Sequence, residues 1–207
     1  IDDLQKIKAS VRGLSMEPLV GPPPPLLAWM SICVGCGMRP GQGDPSWRWN
    51  GDGWEHRCAG VHPQAGHRPA VAISQLTKDH FRGDYEVRRR LRDAHAGRIG
   101  WIIAGGESGL SPKKVRPMHP HWPRWIRHAC EIGHTPFFFK QHGAWLPTAE
   151  ASARSLKTYG KPRLVYSIGG AKAAGDFDQS ISVSFVGKKA AGRRLDGREH
   201  LNFPEAA

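Results

Sequence analysis

The chain has 207 residues, of which 30 are Lys or Arg and 18 are Asp or Glu, so its formal net charge is +12. This length allows one sizeable domain with a buried core. The chain contains no run of about 18 apolar residues that would cross a membrane. The charge favours a polyanionic partner, a nucleic acid or a nucleotide first, although such a surplus also serves solubility alone.

The predicted elements alternate between strands and helices. In chain order they are a strand at residues 11–16, a helix at 84–95, a strand at 101–104, a helix at 122–130 and a strand at 137–139. Residues 181–186 alternate between apolar and polar side chains, as an edge strand does. Strands that alternate with helices favour a parallel sheet, so we predict an α/β fold, specifically a partial β/α barrel.

One segment interrupts this alternation. Residues 31–70 are rich in Gly, Pro, Trp, Cys and His and show no periodicity, although residues 48–55 predict a hairpin. About 40 residues without regular structure are unusual in a compact fold unless something holds them together. We therefore predict that residues 1–30 and 71–207 form the β/α domain, with residues 31–70 as a Cys/His-rich insertion.

Three of the four cysteines lie in this insertion. Cys33 and Cys36 are separated by two residues, Cys58 follows, and His62 and His67 come next. No secretion signal is recognisable, so a metal site is favoured over disulfides. Tetrahedral zinc takes four sulfur or imidazole ligands. The spacing predicts structural zinc on Cys33, Cys36, Cys58 and His62, with His67 as the alternative fourth ligand and three free cysteines as the alternative to a metal site.

Polar residues follow each strand of the predicted parallel sheet. Glu17 follows the first strand, Glu107 the second, and Lys140 and Gln141 the third. Because ligands collect at the carboxyl ends of parallel strands, we expect these residues to share one rim. Glu17, Glu107 and Lys140 are the candidate catalytic residues. The alternative is that Glu107 and Lys140 simply pair with each other.

The loop after the second strand adds candidate cofactor-binding residues. Gly105 and Gly106 let the backbone approach a ligand closely and leave amides for an anion or a carboxylate. Arg116 follows this loop and has the geometry to bind phosphate or carboxylate with two hydrogen bonds. Together with Ser108 and Gln141, these residues form the predicted cofactor-binding set.

Basic and aromatic residues define a possible nucleic-acid surface. Basic runs at residues 88–90, 113–114, 188–189 and 193–194 could contact phosphates. The tryptophans of the insertion could stack on unpaired bases. For the tryptophans, packing around a metal-binding loop is the favoured interpretation.

Five segments carry a resemblance to a known family. They are SMEPL at residues 15–19, GGESG at 105–109, RPMHP at 116–120, PFFFKQ at 136–141 and GKKAAGRRLDG at 187–197. Taken together and in this order, they resemble the uncharacterised phage gp thirty-seven / gp sixty-eight family. Longer members of that family carry a three-cysteine cluster near the N-terminus and resemble radical S-adenosylmethionine proteins.

This resemblance implies a radical-S-adenosylmethionine-like β/α barrel in the cytoplasm of a bacterial host cell. An iron–sulfur cluster and S-adenosylmethionine would lie at the strand ends, lined by Glu17, Glu107, Arg116 and Lys140. Because the chain starts at Ile1 in charged, helix-like sequence, we expect an N-terminal part to be missing. The functional hypothesis is modification of a nucleic acid or nucleotide. The alternative is a non-catalytic, zinc-stabilised nucleic-acid-binding protein.

Overall fold

A computed structural model describes residues 1–21, 23, 26–33, 36–40, 47–49, 54–57, 68–77, 85–154, 156, 162–165 and 180–205. The helices are α1 (Asp2–Lys6), α2 (Leu27–Met30), α3 (Tyr85–Ala96), α4 (His121–Ile132) and α5 (Lys188–Ala191). The strands are β1 (Gly13–Met16), β2 (Ser31–Ile32), β3 (Trp47–Trp49), β4 (Trp54–His56), β5 (Arg68–Pro69), β6 (Val71–Ala72), β7 (Trp101–Gly105), β8 (Phe137–Gln141), β9 (Trp145–Pro147), β10 (Arg163–Val165), β11 (Ile181–Phe185), β12 (Arg194–Leu195) and β13 (Arg198–Glu199).

The central element is a three-stranded parallel sheet with the order β1–β7–β8. Ser15 lies opposite Ile103, which in turn lies opposite Phe138, and all three strands run in the same direction. The register of β7 and β8 shifts once, between Ala104 and Gly105. Helix α4 connects β7 to β8, as a crossover between parallel strands requires. The sequence therefore predicted this strand–helix–strand unit correctly.

The main core lies between one face of this sheet and α4. The helix turns Trp122, Ile126 and Ala129 toward the sheet because apolar residues recur at helical spacing. On the sheet side, Ile102 and Phe139 are completely buried. The helix ends at Gly133. This packing fixes the strand ends relative to one another.

The opposite face of the sheet is only partly covered. Trp101, Ile103 and Phe138 are half-buried on it, and Phe203 packs on Trp101 with ring centroids 5.4 Å apart. Lys140 follows on β8 where the pairing with β7 is irregular, because Gly105 lies opposite Gln141 rather than opposite Lys140.

A second, antiparallel sheet has the order β10–β11–β9. The sequence predicted an edge strand at residues 181–186, but β11 is the central strand of this sheet. Ser182 and Ser184 give it the polar alternation of an edge, yet the hydroxyl of Thr148 lies 2.9 and 3.0 Å from theirs. These hydrogen bonds satisfy the serine hydroxyls inside the sheet, with Ser184 fully buried.

The α/β class is confirmed, while the barrel is not: the described strands form one three-stranded parallel sheet and several small antiparallel sheets. The predicted hairpin is present as β3 and β4, which pair antiparallel. The division into a main domain and an insertion at residues 31–70 stays a prediction. Within the part of the chain that the structure describes, no helix has the length and apolar character needed to cross a membrane.

Candidate functional site

The parallel sheet brings two of the predicted catalytic residues into contact. Glu17 comes directly after β1, and Lys140 lies near the end of β8. The Nζ atom of Lys140 donates a hydrogen bond of 3.2 Å to Oε2 of Glu17. Glu107 does not take part in this pair, so the alternative of a Glu107–Lys140 pair is not what the structure shows.

Glu17 reaches Lys140 by passing over the intervening strand β7 at Gly105. A Cβ atom added at Gly105 would lie 2.5 Å from Oε1 of Glu17, so a side chain at this position would displace the carboxylate. The hydroxyl of Ser15 also donates to Oε2 of Glu17, at 3.3 Å. Gly105 is therefore required because it leaves the space through which the carboxylate crosses.

Glu107 is held by Arg116 in a two-pronged ion pair. Nε and Nη2 of Arg116 lie 3.0 and 3.1 Å from the two carboxylate oxygens, and the Arg116 amide donates to Oε2 at 2.7 Å. These hydrogen bonds from Arg116 hold the pKa of Glu107 below its ordinary value. Glu107 is thus a fixed carboxylate, and the guanidinium of Arg116 remains largely exposed.

The loops that follow β7 and β8 are joined backbone to backbone. The Gly106 amide donates to the carbonyl of Gln141 at 3.0 Å, and the Ala144 amide donates to the carbonyl of Glu107 at 2.9 Å. A Cβ atom at Gly106 would lie 2.0 Å from the carbonyl oxygen of His142. We expected Gly106 to leave its amide for a ligand, but the hydrogen bond to Gln141 occupies that amide.

The remaining two residues of the predicted cofactor-binding set also contact each other. Nε2 of Gln141 donates to the Ser108 hydroxyl at 2.6 Å, so this amide bridges the ends of β8 and the β7 loop. The predicted strand-end residues are thus paired within the rim. The structure brings them together, while their roles in binding or catalysis stay predictions.

A basic groove adjoins the rim. It has a volume of about 470 Å³ and is lined by Lys140, Gln141, Lys188, Lys189, Gly192 and Arg193. Lys188 and Lys189 belong to the short helix α5, between Gly187 and Gly192, both of which have positive φ. We call this surface the basic groove. It continues into a second groove that shares both α5 lysines and extends to Ser108.

The other basic run that we considered, on α3, is partly engaged within the protein. Arg89 forms ion pairs with Glu86 at 2.9 Å and Asp93 at 3.6 Å. Arg90 donates to the carbonyl of Cys36 at 3.3 Å. Both arginines therefore have structural partners, which weakens the case for this helix as the main phosphate-binding surface.

The tryptophans of the hairpin pack against other residues of the protein rather than projecting into solvent. Trp47 is buried and stacks on the His56 ring, with centroids 4.3 Å apart. Trp49 and Trp54 meet edge to face at 5.7 Å and pack against the main core. This arrangement agrees with the packing interpretation of the tryptophans.

Next to this hairpin, three side chains could hold a metal ion. The ligand atoms of Cys33, Cys36 and His56 all lie within 4.8 Å of one another, a set compatible with zinc. Of the predicted ligands, Cys58 and His62 lie outside the described residues, as does the alternative His67. Sequence reasoning missed His56, although its position two residues before Cys58 was an available signal.

The fourth cysteine has a different environment. Cys130 is buried in the main core, and burial raises the pKa of its thiol to about 12. It therefore stays protonated and packs as an apolar side chain.

Comparison with known proteins gives one result. A family model described as "Protein of unknown function (DUF5131)" matches residues 1–204. The chain belongs to the DUF5131 family. No curated protein and no solved structure matches it. The match covers nearly the whole chain, and the family description assigns no reaction.

Proposed function

We propose that this DUF5131 protein modifies a nucleic acid or a nucleotide at the carboxyl ends of β1, β7 and β8. The substrate's phosphates would lie in the basic groove. One observation carries the proposal: the basic groove opens beside the strand ends, and Lys188 and Lys189 in it have no carboxylate partner among the described residues. Two lysines of this kind, next to a polar rim, suit a polyanion.

Lys140 connects the groove to the rim. An ammonium group has three donors, and Lys140 uses one of them on Glu17, so two remain for a phosphate or a ribose hydroxyl. Glu17 would position Lys140 and could accept a proton from a substrate group bound beside it. The Arg116 guanidinium, fixed by Glu107, offers a further positive charge at the same edge.

Radical S-adenosylmethionine chemistry enters the proposal through the phage-family resemblance alone. An iron–sulfur cluster needs thiolate ligands. Among the residues that the structure describes, the strand ends offer carboxylates, amide, amine and guanidinium groups, while Cys33 and Cys36 group with His56 and Cys130 is in the core. The described residues do not fit such a cluster at the strand ends, and we derive no reaction step through it.

S-adenosylmethionine itself can be tested at this rim. Glu107 could hold the ammonium or the ribose hydroxyls of the cofactor, and Lys140 its carboxylate. Isothermal titration calorimetry on the Glu107→Gln and Lys140→Met variants would measure the affinity. We expect both substitutions to weaken binding, and unchanged affinity in both would reject the site.

The nucleic-acid part is tested by salt-dependent binding. Fluorescence anisotropy of a labelled single-stranded oligonucleotide, as DNA and as RNA, gives the affinity at several salt concentrations. Each lost phosphate contact lowers the slope of log affinity against log salt by about 0.7 for single strands. For Lys188→Ala/Lys189→Ala we therefore expect a slope that is shallower by about 1.4 than in the unmodified protein.

A matched control removes the same charge elsewhere. Lys8 precedes β1, at the opposite end of the sheet, and Arg92 is exposed on α3. The Lys8→Ala/Arg92→Ala variant should bind with an unchanged slope. An equal decrease of the slope in the two double variants would mean that net charge alone determines the salt dependence of binding. The basic groove would then not be the phosphate-binding surface.

The second candidate is a non-catalytic, zinc-stabilised nucleic-acid-binding protein. The observation that favours it is the Cys33, Cys36 and His56 group, together with the basic charge of the chain. In that case nucleic acid would lie on the hairpin β3–β4 and helix α3. The same binding assay then gives the reverse result, because Lys8→Ala/Arg92→Ala would lower the slope and the α5 double variant would not.

A further inference from the structure

Cys33, residues 36–38 and His56, the last residue of β4, lie together beside α3. The Gly37 amide donates to the Cys33 carbonyl at 2.8 Å, and the Cys33 amide donates to the Met38 carbonyl at 2.9 Å. Gly37 has a φ of +69°, a conformation that favours glycine. These hydrogen bonds hold Cys33 close to residues 36–38, and its sulfur lies within 4.8 Å of the Cys36 sulfur.

The distance between the Cys36 sulfur and the His56 ring nitrogen matches a tetrahedral metal site. With Zn–S near 2.3 Å and Zn–N near 2.0–2.1 Å, the tetrahedral angle separates a sulfur and a nitrogen ligand by about 3.6 Å. Sγ of Cys36 lies 3.5 Å from Nδ1 of His56. Cys36 and His56 are therefore spaced as two ligands of one ion, and the ligand atom of Cys33 lies within 4.8 Å of both.

The imidazole of His56 is oriented by its neighbours. His56 is the last residue of β4 and lies directly opposite Trp47 of β3. The two rings are stacked with an interplanar angle of 19°. Cys33 and His56 are both buried, so two of the three ligands are shielded from water. A buried sulfur–imidazole cluster on a rigid support is the arrangement that structural zinc uses.

We propose that Cys33, Cys36 and His56 are three ligands of a zinc ion that fastens the hairpin β3–β4 to α3. The ion would join the end of β4 to the turn after β2, and that turn already contacts α3. Arg90 of α3 donates to the Cys36 carbonyl, and a Cβ at Gly37 would lie 2.7 Å from Cβ of Arg90. This assignment refines the zinc of the second candidate function and does not depend on nucleic-acid binding.

The assignment makes His56, rather than His62, the required histidine. Zinc content of the purified whole chain, measured by mass spectrometry, compares His56→Ala with His62→Ala. We expect about one equivalent in the unmodified chain and in His62→Ala, and less than about half an equivalent in His56→Ala. Retention of zinc by His56→Ala, or its loss in His62→Ala alone, would overturn the assignment.

A second variant separates loss of a ligand from loss of the fold. Cysteine is also a zinc ligand, so His56→Cys should restore about one equivalent. With cobalt in place of zinc, His56→Cys should show stronger thiolate-to-metal charge-transfer absorption than the unmodified chain. Cys130→Ser, which changes a core cysteine, should keep the metal. If His56→Cys stays folded but binds no metal, His56 is not a ligand and the proposal fails.

Discussion

The Gly106→Ala substitution tests the backbone joint between the two strand-end loops. The added Cβ would lie 2.0 Å from the carbonyl oxygen of His142, whereas Cβ atoms in proteins essentially never approach within 3.0 Å of another heavy atom. The obstacle is backbone rather than a flexible side chain. The two loops must therefore part by about 1 Å, a forced overpacking of the kind that strains a packed site.

The magnitude follows from what such a separation breaks. Overpacking of this kind costs about 1–3 kcal/mol. The hydrogen bonds Gly106–Gln141 and Glu107–Ala144 would be stretched, at about 0.5–1.5 kcal/mol each. We therefore expect the free energy of unfolding to fall by about 2–6 kcal/mol.

Thermal unfolding followed by circular dichroism measures the change. For a chain of this size, the expected loss lowers the melting temperature by at least about 4 °C. Gly105→Ala is the matched control, because its Cβ would meet the tip of the flexible Glu17 side chain at 2.5 Å. We expect the free energy of unfolding of Gly105→Ala to stay within about 1 kcal/mol of that of the unmodified protein. The substitution should nevertheless displace Glu17 from Lys140. Equal stability of Gly106→Ala and Gly105→Ala would refute the reasoning.

Three further predictions follow from charge, burial and metal binding. Arg116→Ala should raise the pKa of Glu107 toward its ordinary value, because the side-chain hydrogen bonds from Arg116 are lost while the one from the backbone amide remains. NMR titration of the carboxyl group measures this, and an unchanged pKa would contradict the ion pair. Burial lowers the pKa of His142 below 6.5, so the free energy of unfolding should fall as the pH drops below about 6.5, by at most about 1.4 kcal/mol per pH unit. Denaturation curves at several pH values measure this, and His142→Gln should lose the contribution of His142 to the pH dependence. If free zinc is a thousand-fold above its dissociation constant, its removal by EDTA should lower the free energy of unfolding by roughly 4 kcal/mol. A melting curve that EDTA leaves unchanged would argue against a structural ion.

The parallel unit was predictable because its signals are local. Apolar runs at β7 and β8 and the helical spacing in α4 are legible in sequence, and a strand–helix–strand unit leaves a parallel arrangement as the ordinary outcome. That arrangement was enough to predict a common rim for Glu17 and Lys140. Their direct contact was not predictable, because it depends on the space left by Gly105 on the strand between them.

The features that sequence reasoning missed depend on contacts between distant segments. The central position of β11 depends on pairing with β9 and β10, and its serines resemble those of an exposed edge until Thr148 is placed beside them. His56 joins the cysteines only because β3–β4 pairing positions it near Cys33 and Cys36. Pairing over such separations is decided by tertiary packing rather than by local pattern.

The most direct measurement of the central claim is an amide NMR titration of the whole chain with a single-stranded oligonucleotide. If substrate phosphates bind beside the strand ends, the largest changes in amide chemical shift will be at Gln141 and at residues 187–193. Changes confined to residues 88–92 of α3 and to the strands of the hairpin β3–β4, with none in the basic groove, would contradict the proposed strand-end site and favour the zinc-stabilised binding protein.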